Sequence, residues 1–171
     1  IEQRTVDIQE GMNAGELHDQ LMVVGAELIY DTLEDLNDDK IEKQHQKVES
    51  TTDLRAAPKI FKEDCKIDWK DSLHAIYNTI RGLSPYPAAS CLLRNKSKNK
   101  NISFKLFHCE KTDIQVPNNL SKTLIIGEKG ILFPCSDCYL LVIEFQMEGK
   151  RRMNYTDFIA GNSIEDFELI H

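Results

Sequence analysis

The residues able to do chemistry are of two kinds, thiols and imidazoles on one side and clustered cations on the other. Cys135 and Cys138 stand at a C-x-x-C spacing, which can clasp zinc or act as a redox pair. A structural zinc site needs four ligands, and no second C-x-x-C or H-x-x-x-H follows. Ser136 and Asp137 therefore read as a hairpin tip with a cysteine on each flank, and no metal ligand is assigned. The five histidines, His18, His45, His74, His108 and His171, are scattered, with no serine or carboxylate at a telling spacing. His18 and His74 are expected on helix surfaces. Nothing demands a nucleophile and base, and Gly11, Gly15 and Gly25 are too widely spaced for a phosphate loop. No catalytic residue is assigned.

The cations are the better signal. Arg94, Lys96, Lys98, Lys100, Lys105 and Lys111 have only Glu110 as an acidic neighbour, and Lys150, Arg151 and Arg152 form a second run. Lys59, Lys62 and Lys66 lie on a joining segment between two differently charged regions. Cations beside strands can track a phosphate backbone, although a soluble Lys-Asn-Ser hairpin tip explains the first run equally well. Lys59, Lys62, Arg94, Lys150, Arg151 and Arg152 are the candidate nucleic-acid contacts.

These residues need elements to position them. The 171 residues carry a net charge of -7, but residues 1–57 hold 14 acidic against 5 basic side chains, a local -9, and the remainder is at +2. The sign changes at the segment Ala57-Pro58-Lys59, where Pro58 fixes an extended entry. Ile1, Val6 and Ile8 alternate loosely and read as the end of a strand. Asn13 with Glu16 three residues later predicts a capping box. Leu17, Leu21, Val24 and Leu28 then mark a buried helical stripe to about Leu36. Asn37-Asp38-Asp39 stops it, and residues 40–53 read as a surface strand or loop.

Past the joint, Asp68 or Asp71 is placed to cap a second helix carrying Leu73, Ile76, Tyr77 and Ile80, with Gly82 and Pro85 as its stop. Residues 88–93, 102–109, 123–126, 131–135 and 139–146 are strand candidates, separated by turns such as Lys96-Ser97-Lys98-Asn99 and Glu128-Lys129-Gly130. Five short strands suit a small closed barrel of OB type, a fold that often binds oligonucleotides. A helical turn is expected at residues 156–160. Five cysteines without a secretory leader suggest reduced thiols in the cytosol. No apolar run approaches the roughly 20 residues that cross a bilayer. The chain does not open on methionine and reads as a piece of something longer.

Met12-Asn13-Ala14-Gly15-Glu16-Leu17-His18-Asp19 with Leu21 and Gly25-Ala26-Glu27-Leu28 is the first of five motifs. It is followed in order by Ala57-Pro58-Lys59, then Ile67-Asp68-Trp69, then Ile80-Arg81-Gly82-Leu83-Ser84-Pro85-Tyr86-Pro87-Ala88. The last is Gln146 and Gly149-Lys150-Arg151-Arg152-Met153 with Asp157-Phe158 and Gly161. Together they resemble the methionyl-tRNA formyltransferase family over nearly the whole chain. The family often has Trp where Tyr86 stands between prolines, and tends to have Pro-Gly where Ser121-Lys122 precedes Thr123.

The resemblance implies formyl transfer from 10-formyltetrahydrofolate to the amino group of methionine on initiator tRNA. It implies an α+β chain: an OB-like small β-barrel with flanking helices, preceded by the last strand and helix of a Rossmann-like catalytic domain. On this reading residues 1–50 close the catalytic domain, 51–70 are a linker and 71–171 are the tRNA-binding barrel. The catalytic residues and the folate site would lie before Ile1, so this chain alone is expected to bind tRNA, to bind no folate and to be inactive. Its partners would be initiator methionyl-tRNA and the amino-terminal catalytic domain, in the cytoplasm, without DNA or membrane. The rivals are a formyltransferase acting on a nucleotide sugar or on formylfolate, and an RNA-binding barrel without catalysis.

Overall fold

A capping box opens the first helix, α1 (Ala14–Asn37), in the computed structural model, which describes residues 1–41, 56–117 and 122–170. The Asn13 side chain accepts from the Glu16 amide at 3.0 Å, and the Glu16 carboxylate accepts from the Asn13 amide at 2.8 Å. Two of the helix's orphan amides are thereby satisfied. The helix ends where Asn37-Asp38-Asp39 predicts, with Asp39 in the left-handed region at φ 54°.

The chain divides into two units, Ile1–Ile60 and Phe61–His171. In the first, two expectations are corrected. Residues 1–8 form no strand: among the described residues no strand lies beside them to complete a ladder, and Arg4 instead pairs with Glu27 and Asp31 on α1. The predicted stripe of Leu17, Leu21, Val24 and Leu28 has the right period, but no residue of α1 is buried, and Leu21 is 49% exposed. The periodicity marks a face suited to burial, which the described part of this unit does not cover. Lys40 pairs with Asp38 at 2.6 Å. Residues 42–53 of the expected surface strand or loop, with His45, lie outside the described residues.

The second unit is α+β. Helix α2 (Leu73–Leu83) buries Leu73, Ile76, Ile80 and Leu83, as its spacing predicts. Its cap is Ser72, not Asp68 or Asp71: the Ser72 hydroxyl accepts from the Ala75 amide at 3.3 Å. Asp68 closes a local turn by accepting from the Lys70 amide at 3.0 Å, so its carboxylate is committed one turn too early. Residues 61–70, read as linker, pack on this unit, with Cys65 and Trp69 in its core and Trp69 stacked on Phe133 at 5.1 Å.

Strands follow as β1 (Ala89–Asn95), β2 (Lys100–Gln115), β3 (Ile125–Ile126), β4 (Ile131–Pro134) and β5 (Cys138–Met147). All five strand candidates are present, and β6 (Arg152–Asn154) and β7 (Phe167–Leu169) add to them. A short helix α3 (Tyr155–Ile159) lies near the predicted turn. The antiparallel sheet runs β3-β4-β5-β2-β1-β7, with β6 also on β5. It curls into a half-barrel whose two ends approach through one Thr123–Glu168 bridge and a Leu169 amide to Lys122 carbonyl bond of 3.1 Å. Inside, Phe104 meets Phe145, Phe158 and Phe167 at 5.8, 6.1 and 5.9 Å, mostly edge to face. Gly130 lets β4 approach β5: a Cβ there would lie 2.3 Å from the Val142 carbonyl oxygen.

Candidate nucleic-acid interface

Strand alternation sorts the sheet into an apolar inside and a mostly polar outside. On β1, Ala89, Cys91 and Leu93 are buried, leaving Ser90, the exposed Leu92 and Arg94 outward; on β2, Phe104 and Leu106 are buried and Lys105 is exposed between them. Register carries this polar row across the sheet. Ser90 lies opposite Lys105, Lys105 opposite Gln146, and Gln146 opposite Arg152. The turn at residues 148–151 is closed by the Lys150 amide on the Met147 carbonyl at 2.9 Å, with Gly149 at φ 74° taking the left-handed position. The Gln146 side chain donates to the Lys150 carbonyl at 2.8 Å, tying this turn to the outer face.

The structure brings Lys150, Arg151 and Arg152 together at this turn and places Lys105 on the same face. Arg152 is held on two sides: its guanidinium pairs with Glu144 and lies 4.2 Å over the Phe107 ring. A cation on an aromatic face at an exposed site gains about 0.5–1 kcal/mol. Arg94 lies apart from this turn, at the β1–β7 pairing, 3.9 Å from Glu168 and bonded to Asn99 at 3.0 Å. Its charge is thus partly answered within the sheet. Lys59 belongs to the first unit and Lys62 to the second, and both are exposed.

Sequence reasoning missed Phe107 and Glu144 as parts of this site. A register shift between Leu106 and His108 makes two consecutive residues buried, and Phe107 stands outside the core cluster beneath Arg152. The shift falls in Leu106-Phe107-His108, with no glycine, the residue that announces a bulge in a sequence.

The C-x-x-C occupies the β4–β5 turn, as read: the Cys135 amide donates to the Cys138 carbonyl at 3.1 Å. Burial pushes the Cys135 thiol up to about 12, so the thiolate that zinc or redox chemistry requires is disfavoured. Among the described residues no group of three or more His, Cys, Asp or Glu side chains is placed to hold a metal. A cavity of about 250 Å³ beside the outer row is lined by Ser103, Lys105, Gln146, Met147, Glu148 and Gly149. Small-molecule sites span about 300–1,000 Å³ and are mostly apolar. This one is smaller and has no aromatic wall for a pterin ring, so its residues do not fit a folate.

Residues 59–163 match the family model described as "Formyl transferase, C-terminal domain". The chain belongs to this formyl transferase C-terminal domain family. Its curated relatives include the methionyl-tRNA formyltransferase of Flavobacterium johnsoniae, 36% identical over 94% of this chain and 50% of that protein. Another is the enzyme of the same name from Azobacteroides pseudotrichonymphae, 37% identical over 95% of this chain and 51% of that protein. The chain spans about half the length of the curated relatives it matches. Among solved structures, HypX from Aquifex aeolicus aligns over 92% of this chain and 27% of that one, with a TM-score of 0.64 and 14% identity. At that identity the likeness concerns the fold alone. No described helix is long and apolar enough to cross a membrane.

Proposed function

We propose that this chain is the tRNA-holding half of a methionyl-tRNA formyltransferase, acting in the cytoplasm. The whole enzyme transfers the formyl group of 10-formyltetrahydrofolate to the amino group of methionyl initiator tRNA. The observation that carries the reading is the similarity, along nearly the whole chain, to proteins bearing that enzyme name. In this assignment residues 1–50 close the catalytic domain, residues 51–70 join it to an OB-like barrel on which residues 61–70 pack, and the barrel's cations hold tRNA. Formyl transfer and the folate site are assigned to the half of the relatives that this chain does not span. Consistent with that division, the outer face offers Lys105, Lys150, Arg151 and Arg152, donors suited to phosphate rather than groups for acyl chemistry.

Anisotropy titration of labelled initiator tRNA with this chain tests the reading. Binding that weakens steeply with salt is expected, because each phosphate contact releases counterions. No binding at about 50 mM salt, or binding indifferent to salt, would overturn it. The purified chain is expected to transfer no formyl group to charged initiator tRNA, and measurable turnover would contradict the division of labour.

A further inference from the structure

The outer row does not stop at β1. Lys66 forms an isolated parallel bridge with Ser90, made by the Ile67 amide on the Ser90 carbonyl at 2.9 Å and the Ser90 amide on the Cys65 carbonyl at 2.7 Å. Cys65 is buried in the core and Ile67 packs against it, so alternation leaves the exposed Lys66 on the outer face beside Ser90. The full row is Lys66, Ser90, Lys105, Gln146, Arg152, one residue from each of five adjacent segments.

Three properties distinguish this row from a scatter of surface lysines. Adjacent strands lie about 4.8 Å apart, so the backbones of Lys66 and Lys105 stand about 10 Å apart, at positions fixed by pairing rather than by flexible loops. The gaps hold small or neutral polar side chains, Ser90 and Gln146, and no carboxylate lies in the row. Of the carboxylates beside it, Glu144 answers the Arg152 charge, Glu148 accepts from the Ser103 amide at 3.4 Å, and Asp64 and Asp68, which flank Lys66, accept from the Phe61 and Lys70 amides at 2.7 and 3.0 Å. The Gln146 amide nitrogen is committed to the Lys150 carbonyl, which turns its carbonyl oxygen into an acceptor for a hydroxyl.

We infer that this row is a track for an RNA backbone, with phosphates at Lys66 and Lys105 and the acceptor of Gln146 available to a ribose 2′-hydroxyl, while Arg152, already paired with Glu144, closes the row. RNA differs from DNA at that hydroxyl, which both donates and accepts. The inference rests on the reading of the chain as a tRNA-binding half and deepens it. It moves the main contact from the exposed Lys59 and Lys62 onto a rigid sheet face that includes Lys66 and Lys105.

The test uses the intact 171-residue chain and initiator tRNA, titrated between about 50 and 200 mM salt. Lys66→Gln/Lys105→Gln removes two row charges; Lys96→Gln/Lys98→Gln removes two from the exposed β1–β2 turn and controls for net charge. All four side chains are exposed, so thermal melts are expected to coincide. The row pair is expected to lower the slope of log affinity against log salt by about 1.4–1.8, at roughly 0.7–0.9 for each of the two phosphates no longer neutralised, with the control pair near zero. Wild-type binding with equal losses from both pairs, or with no loss from the row pair, overturns the track and leaves the tRNA reading standing. Failure of the wild-type chain to bind overturns both.

Discussion

Asp137, at the tip of the β4–β5 turn, accepts a hydrogen bond from the Leu73 amide at the start of α2, at 2.8 Å. A second bond from the Cys138 amide, at 2.9 Å, fixes the same carboxylate oxygen. The turn therefore caps a helix that is remote in sequence, and the Ser136 amide on the Asp71 carbonyl at 3.1 Å joins the two elements again. The bond from Leu73 holds the Asp137 carboxyl below the usual carboxylate range.

Replacing Asp137 with Ala is expected to cost about 1 kcal/mol, the usual penalty for removing a helix cap. Its contribution is fully present above the ordinary aspartate value near 4 and is lost as pH falls through the lowered folded value. Because Asp137 is exposed, screening keeps that pH-dependent part small. Urea unfolding at several pH values between about 3 and 7 checks both statements: Asp137→Asn should flatten the acid limb relative to wild type, and an unchanged limb would exclude the carboxylate as its source.

Gly130→Ala is expected to destabilise the second unit by about 1–3 kcal/mol, because the added methyl meets the Val142 carbonyl oxygen and only a backbone shift relieves it. Gly149→Ala meets nothing within 4 Å and loses only the left-handed preference, about 1 kcal/mol. Comparative denaturant midpoints would reveal the order, and the reverse order would refute the close approach of β4 to β5.

Phe104→Ala is expected to cost about 3–5 kcal/mol, since the ring is fully buried among three other aromatic rings. Thermal unfolding should show a large fall in Tm, and a fall of only a degree or two would mean that the site collapses around the void.

Lys150→Gln/Arg151→Gln is expected to weaken tRNA binding, because both side chains are exposed at the β5–β6 turn. Arg94→Gln is expected to change little, since Glu168 and Asn99 already engage its guanidinium. Lys62→Glu should weaken binding more than Lys40→Glu, which makes the same charge change on the acidic side of the sign change. Affinities at one fixed salt concentration rank the variants, and a dominant effect of Arg94 would shift the interface toward β7.

Much of this is legible from spacing. The capping box at Asn13 and Glu16, the α2 stripe and the β1–β2 and β3–β4 turns follow from local chemistry that the chain keeps when folded. Ser72 escapes a reading by spacing because Asp68 and Asp71 compete for the cap within the same few residues, and only the Asp68–Lys70 turn decides between them. Strands β6 and β7 span three residues each, too short for alternation to be counted. The expected burial of α1 rests on period alone, and period does not report what covers a face. The candidate site is legible only as charge: Lys150, Arg151 and Arg152 are adjacent in sequence, whereas Lys66, Lys105 and Arg152 share a face only through register.

The Thr123–Glu168 bridge has a further consequence for the order in which the molecule is made. Strand β7 pairs with β1 on one side and, through Glu168 and Leu169, reaches residues 122 and 123 on the other. A ribosome delivers that strand after every other strand of the sheet, so the growing chain holds two open edges until synthesis has passed Leu169. Open edges template pairing with other chains, and a nascent barrel lacking only its final strand is the species in which intermolecular association competes with closure.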